Sequence, residues 1–228
     1  MRLDERLSLA FDLYDPCGLA ADIGTDHAHL PIALLRAGKC RRMILTDISG
    51  GAIQNARDNL IRAGLTDAVS LRQGDGLAPV DEACGMISVL GMGGKTIRAI
   101  LEAGKDHLRG ANLLLSAHTD LSEVREAVQG IGYRLISETP CFSAGRFYLM
   151  LKAAPGAERL TEREIRLGKP LFETDSPALP AYLRHQLAVL ARRAEGLRGA
   201  TLPDDGLRSR TEEDMAFYRE RLAALGAD

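Results

Sequence analysis

The chain has 228 residues, 46% hydrophobic and 26% charged, with a formal net charge of −2 at pH 7. That length can bury a sizeable core in one domain or one domain plus an appendage, and the near-neutral balance means that a nucleic-acid partner would be held by a local patch. The opening MRLDERLSLAFDLYD has no apolar secretion segment, no run approaches the roughly 18–20 apolar residues that span a bilayer, and Cys17, Cys40, Cys84 and Cys141 stand too far apart for a zinc cluster or disulfide framework, so the expectation is a cytoplasmic protein without a membrane span.

Leu3, Leu7, Ala10, Phe11 and Tyr14 fall at helical spacing and end at Asp15-Pro16, which predicts an opening amphipathic helix. Strands are then predicted at Leu19–Ile23, Arg42–Asp47, Val69–Gln73, Met86–Leu90 and Leu113–Ser116. Helices are predicted at Pro31–Ala37, at Gly51–Ala63, near Lys95–His107 and at Ser122–Gly130. Tyr133–Glu138 and Phe147–Lys152 read as a closing antiparallel hairpin. Strands separated by helices imply right-handed crossovers, hence an α/β, Rossmann-like, doubly wound and mainly parallel seven-stranded sheet.

After Ala153-Ala154-Pro155-Gly156 the strand signals stop. Leu183, Leu187, Leu190, Ala194 and Leu197 recur at 4-3-4-3 spacing, and Met215, Tyr218, Leu222 and Leu225 at 3-4-3, with a Gly/Pro/Asp connection at Gly199–Asp205. This is the pattern of two antiparallel helices packed as a short coiled coil. The expected division is residues 1–154 for the sheet domain and 155–228 for a small helical domain.

In an open parallel sheet, ligands sit beyond the C-terminal strand edges, where strand order reverses. Four such edges carry polar or glycine-rich sequence. The first reads Asp22-Ile23-Gly24-Thr25-Asp26-His27, where Gly24 lets the backbone turn tightly against a ligand. The second ends in Asp47-Ile48, 23 residues past Gly24, and a carboxylate about 20 residues after such a turn can grip a ribose diol. The third is Gln73-Gly74-Asp75-Gly76, whose carboxylate suits an adenine amino group. The fourth is Gly91-Met92-Gly93-Gly94, open enough for a flat substrate.

Plainer readings exist for each piece: Asp47 as a helix cap, and GDG as a turn. GMGGKT is no phosphate loop, because Val89 stands where the first Walker glycine belongs. His27 and His29 lack a third protein ligand for catalytic zinc, so no metal is expected. No G-x-S-x-G elbow supports a hydrolase. The four edges together are more specific than any one, and point to a nucleotide-like cofactor.

ADIGTDHAHLPI, the QGDGL stretch, GMGGKTI with the following ILEAGKD, and the pattern around Leu167-Gly168-Lys169-Pro170-Leu171 closely resemble the bacterial tRNA (adenine-22-N1)-methyltransferase family, over nearly the whole chain. The resemblance implies an S-adenosyl-L-methionine-dependent enzyme acting on N1 of an adenine in tRNA, with a C-terminal helical domain that helps hold the tRNA. Asp22, Ile23, Gly24, Thr25, Asp26 and His27 would line the methionine side of the cofactor. Asp47 and Ile48 would lie at the ribose, Gly74, Asp75 and Gly76 at the adenine, and Gly91 beside both cofactor and base. His29, Met92, Gly93, Gly94 and His118 would border the target base, and Asp26 would be the catalytic or positioning carboxylate.

Asp47, where that family can carry a glutamate, keeps the carboxylate; the chain otherwise departs from the family pattern with His29 in place of a tyrosine and Ser116-Ala117-His118 in place of Gln-Pro-Asn. Both departures lie toward the substrate side. Arg192 and Arg193, clustered with Arg184, His185 and Arg198, are candidates for phosphate contact. A solvated charged face explains them equally well, since residues from Ala154 onward carry 12 basic and 13 acidic side chains. The chain is expected to act as a monomer.

The rivals are a nicotinamide-dependent oxidoreductase, which the missing G-x-G-x-x-G opposes, a non-enzymatic RNA-binding protein on the same fold, and a methyltransferase for another RNA position or acceptor.

Overall fold

The computed structural model describes residues 3–169, 174, 176–198 and 204–226. Helix α1 (Glu5–Leu13) is capped by the Asp4 carboxylate, which accepts from the Leu7 amide. There follow β1 (Cys17–Ile23), α2 (His29–Arg36), β2 (Cys40–Asp47), α3 (Gly50–Ala63), β3 (Val69–Gln73) and β4 (Met86–Met92). The series continues with α4 (Gly94–Ala103), α5 (Lys105–Leu108), β5 (Asn112–Ala117), α6 (Leu121–Gly130), β6 (Tyr133–Ser143) and β7 (Arg146–Pro155). Helices α7 (Glu162–Leu167), α8 (Leu179–Arg198) and α9 (Asp205–Ala224) close the chain.

The sheet runs β3-β2-β1-β4-β5-β7-β6, parallel except for β7, which is antiparallel to both of its neighbours. This is the expected seven-stranded sheet with a terminal hairpin. Strand order reverses at β1, which pairs with β2 on one side and β4 on the other. The parallel strands are near-continuous apolar runs because helices cover both faces. On one face Ala10, Tyr14, Leu30, Leu34, Met43 and Leu60 pack beneath α1, α2 and α3. On the other, Ile87, Val89, Leu113 and Leu115 pack against Ile97 and Leu101 of α4 and Val124 of α6.

Three expectations on elements need correction. The helix predicted near Lys95–His107 is two helices, broken at Gly104, where a Cβ would fall 2.5 Å from the Leu77 Cβ and 2.9 Å from the Ile100 carbonyl oxygen. The hairpin strands run on to Ser143 and from Arg146, leaving only Ala144 and Gly145, both with positive φ, as the turn. Pro140 lies within the extended β6, an edge strand, where a missing N–H is tolerated. Finally, α7 stands where no element was predicted; its Thr161–Glu164 capping box fixes the start.

Helices α8 and α9 pack on one another through Leu183, Leu190, Tyr218 and Leu222, and this cluster is continuous with the core under α4 and α6. Phe147 of β7 meets Tyr182 edge-on at 5.7 Å, joining α8 to the hairpin. At the seam the buried Arg125 Nε donates to Glu138 Oε1 at 2.6 Å, and its Nη1 donates to the carbonyls of Ile165 and Arg166. A Cβ at Gly168 would lie 1.9 Å from Glu138 Oε2, so the chain passes this ion pair with room for hydrogen only. Of the expected connection between α8 and α9, residues 199–203 lie outside the described residues, as do Pro170 and Leu171 of the LGKPL pattern.

Candidate active site

A cleft opens along the C-terminal ends of β1, β2 and β4, at the point where the strand order reverses. It has two halves that share Gly24, Leu90 and Gly91. One, about 350 Å³, is lined by Thr46, Asp47, Ile48, Gly74, Asp75, Gly76, Met92, Thr96 and Ile100 among others. The other, about 280 Å³, lies between β1, α2, α1 and β7, with Asp22, Asp26, His27, His29, Arg6, His118 and Tyr148 on its walls.

The loop after β1 is folded by its own backbone. The Gly24 and Thr25 amides both donate to the Thr46 carbonyl, at 2.8 and 3.0 Å, and Asn59 Nδ2 donates to the His27 carbonyl at 2.9 Å. Gly24, Asp26 and Ala28 all have φ between 47° and 72°. Two non-glycine residues held in the left-handed region within three positions is backbone strain of the kind that collects at functional sites. A Cβ on Gly24 would fall 2.2 Å from the Met92 Cε, which can move aside, so it is the φ of 72° that favours glycine here. Ala28 offers α2 no side-chain cap, so the amides of His29 and Leu30, in the first turn beside the cleft, have no capping side chain.

Asp47 is not the cap of α3. Ser49 takes that role, accepting from the Ala52 amide. The Asp47 carboxylate is instead held by the amides of Ser49 at 2.9 Å and Asp26 at 3.3 Å. Fixed from behind by two backbone donors, it keeps acceptor capacity for a diol. Asp22 is only 7% exposed and accepts from the Ser88 hydroxyl at 2.6 Å. Burial pushes its carboxyl up to about 6; the Ser88 bond opposes this, and the negative Asp47 adds to it. The rings of His27 and His29 stack at 5.5 Å, and burial together with the neighbouring His27 lowers the His29 pKa. Asp26 is exposed, with Oδ2 3.6 Å from His27 Nε2.

The structure brings together in the cleft Asp22, Ile23, Gly24, Thr25, Asp26, His27, His29, Asp47, Ile48, Gly74, Asp75, Gly76, Gly91, Met92 and His118. Met92 sits in the half with Asp47, on the side expected for the cofactor and not for the base. Gly93 and Gly94 line neither half. Gly94 is buried, and its missing Cβ would clash with the Asp120 and Thr119 carbonyl oxygens at 2.1 and 2.7 Å. Ser116 and Ala117 are buried in β5, and only His118 emerges. Arg192 and Arg193 lie on α8 away from both halves; Arg193 lines a separate hollow between α6, α7, α8 and α9. Sequence reasoning missed Arg6 and Tyr148, whose guanidinium and ring meet at 5.4 Å across the cleft. No local signal marks either one, because α1 and β7 reach the cleft only through the tertiary fold.

A cleft at the strand-order reversal of a parallel sheet, with an acid after β1, a second at the end of β2 and a reversed strand next to the far edge, defines a Rossmann-like fold of the methyltransferase type. The comparisons with known proteins narrow this. The sequence profile of the tRNA (adenine(22)-N(1))-methyltransferase family matches residues 20–212. A Bacillus subtilis protein of that name is 34% identical over 158 residues, a match spanning 68% of this chain and 66%, just under two thirds, of that protein. The crystal structure of the B. subtilis M1A22 tRNA methyltransferase is 26% identical, with 97% of this chain and 99% of that chain covered and a TM-score of 0.84. A Streptococcus pneumoniae protein crystallised in complex with S-adenosyl-L-methionine has the same identity and TM-score, over 97% and 100%. The chain belongs to the tRNA (adenine(22)-N(1))-methyltransferase family.

Proposed function

We propose that this protein methylates N1 of an adenine in tRNA, at position 22 by family, using S-adenosyl-L-methionine. The observation that carries the reading is the two-part cleft: an Asp47 carboxylate anchored by two amides beside the GDG turn, joined through Gly24 and Gly91 to a second chamber of aromatic and acidic side chains. The chambers fit the cofactor. Asp47 and Asp75 offer acceptors to a ribose and an adenine amino group, and Gly24 and Gly91, both at positive φ, leave backbone space between them.

When bound, the cofactor supplies an electrophilic methyl on a positively charged sulfur. The chain's residues supply position and charge. The N1 lone pair of neutral adenine is already nucleophilic, so alignment within the cleft supplies much of the rate. Asp26 faces the chamber from a strained turn, where its carboxylate balances the positive charge that grows on the ring during attack. His29 and Tyr148 offer ring faces to a base that has left its stack.

In the same reading the chain is a cytoplasmic monomer, residues 1–154 carry the chemistry, and 155–228 form a helical domain packed as a short coiled coil, on which Arg192 and Arg193 meet tRNA phosphates. No metal takes part. Among the described residues no group of three or more His, Cys, Asp or Glu is arranged to hold one, and no helix is long and apolar enough to cross a membrane.

The test is methyl transfer from labelled S-adenosylmethionine to unmodified tRNA, followed by nucleoside digestion and mass spectrometry. A 1-methyladenosine peak supports the reading; cofactor binding with no methylated nucleoside overturns it. Neutralising Arg192 and Arg193 together should weaken tRNA binding and flatten its salt dependence, and an unchanged salt slope would remove that surface from the reading.

A further inference from the structure

The chamber beside β1 contains two charges of opposite sign that do not meet. Asp22, near the end of β1, is buried, accepts from the Ser88 hydroxyl, itself within 3.5 Å of the Tyr14 phenol, and forms no ion pair among the described residues. Arg6, half-buried on α1, lies over the Tyr148 ring; among the described residues it makes no ion pair and no hydrogen bond. Its Nη1 comes within 3.1 Å of where a Gly91 Cβ would stand, so the guanidinium reaches the backbone at the junction of the two chambers. A buried acid and a half-buried cation that form no ion pair among the described residues are each costly. Together they complement a ligand that carries an ammonium and a carboxylate on one carbon.

Helix α1 is fastened at both ends so that Arg6 arrives there by construction. Lys39 Nζ donates to the carbonyls of Phe11 at 2.6 Å, Tyr14 at 3.2 Å and Asp12 at 3.3 Å, closing the C-terminal end. Near the start, Ser143 Oγ at the hairpin turn donates to Glu5 Oε2 at 2.9 Å. The residues matched to the family begin at 20, so α1 lies outside them.

We infer that Arg6 is the clamp for the α-carboxylate of the cofactor's amino-acid end, with Asp22 receiving the α-ammonium. This rests on the proposed use of S-adenosyl-L-methionine and adds a residue to it. Arg6 is a binding residue, not an acid or a base, and its planar fork suits a carboxylate with two parallel bonds.

The experiment is calorimetric binding of three nucleosides to the full chain: S-adenosylmethionine, its decarboxylated form, and methylthioadenosine, which lacks the amino-acid end. Arg6→Gln should weaken S-adenosylmethionine binding about 10- to 100-fold, the scale of one charge-assisted pair, and leave the other two ligands within about 2-fold of wild type. Arg6→Lys should fall between. If Arg6→Gln binds S-adenosylmethionine like wild type, or loses affinity for all three ligands alike, the clamp is wrong. A drop confined to tRNA affinity would place Arg6 on the nucleic acid and also overturn it. A wild-type protein that binds none of the three would instead sink the methyltransferase reading, a result distinct from any of these.

Discussion

At the seam between β6 and the C-terminal helices, the Arg125 and Glu138 side chains are 2% and 0% exposed, and they are bonded to each other, with two carbonyls completing the guanidinium. In the cleft, Asp22 is nearly as deep but accepts from a hydroxyl, Arg6 lies over an aromatic face, and among the described residues neither forms an ion pair. Taking a charge out of water costs several kcal/mol unless a partner offsets it. Where the protein only has to hold itself together, it supplies that partner from its own chain. Where it leaves opposite charges apart, around space at the end of a strand, the missing partners are those of a ligand. The contrast separates structural from functional burial of charge better than burial alone does.

Four changes would break or sharpen that contrast. The largest effect is expected at the seam: Arg125→Ala strands the Glu138 carboxylate and should cost about 3–5 kcal/mol in urea unfolding, whereas Arg125→Met with Glu138→Leu should recover most of it. A loss under about 1 kcal/mol for the single change would deny the seam its structural role.

Next is Asp22. Its folded pKa near 6 exceeds the ordinary 3.8, so the folded state holds the proton more tightly. The stabilisation tied to that proton is complete below about pH 4 and is lost as pH rises through about 6. Asp22→Asn should therefore be more stable than wild type above pH 6, by up to about 3 kcal/mol, and equal to it near pH 4. Cofactor affinity in wild type should rise with pH through the same window and be weak and flat in Asp22→Asn. Thermal melts and calorimetry across pH 4–8 check both halves, and parallel stability curves for the two proteins would refute the assignment.

Asp47→Asn removes the charge and replaces one of the two acceptor oxygens with an NH2, leaving a single oxygen for the backbone donors and the diol. The expected loss is about 10- to 100-fold in cofactor affinity, about 1.5–3 kcal/mol, with little change in melting temperature. Smallest is Gly24→Ala, where an alanine at φ +72° costs about 1–2 kcal/mol and the Met92 methyl must swing aside. Because Met92 ends in a flexible thioether, stability should fall by no more than that, while cofactor affinity falls further.

The sheet was legible because its strands are short apolar runs separated by helical periods, and the β1 and β2 edges were legible because Gly24 and Asp47 stand at a telling distance. The rest needed three dimensions. Gly93 and Gly94 looked like open backbone for a base, yet Gly94 is small so that the start of α4 can pack on the Thr119 and Asp120 carbonyls. Glycine in a loop signals close approach without saying to what. Arg6 and Tyr148 are ordinary residues of a helix and a strand until the fold sets one over the other. Ser49 decided the role of Asp47: with the cap supplied two residues later, the aspartate is left for the cleft.

The place of β7 has a consequence for how the protein is made. It lies between β5 and β6, though it is the last strand in the chain. While the polypeptide emerges, β5 forms with one unpaired edge and waits for a partner roughly thirty residues downstream, a delay of a few seconds at 5–20 residues per second. Until then its apolar run, Leu113-Leu114-Leu115, is an exposed template for any passing strand. The tight Ala144-Gly145 turn shortens that window, because β6 and β7 can zip together as a hairpin and dock on the waiting edge as one unit.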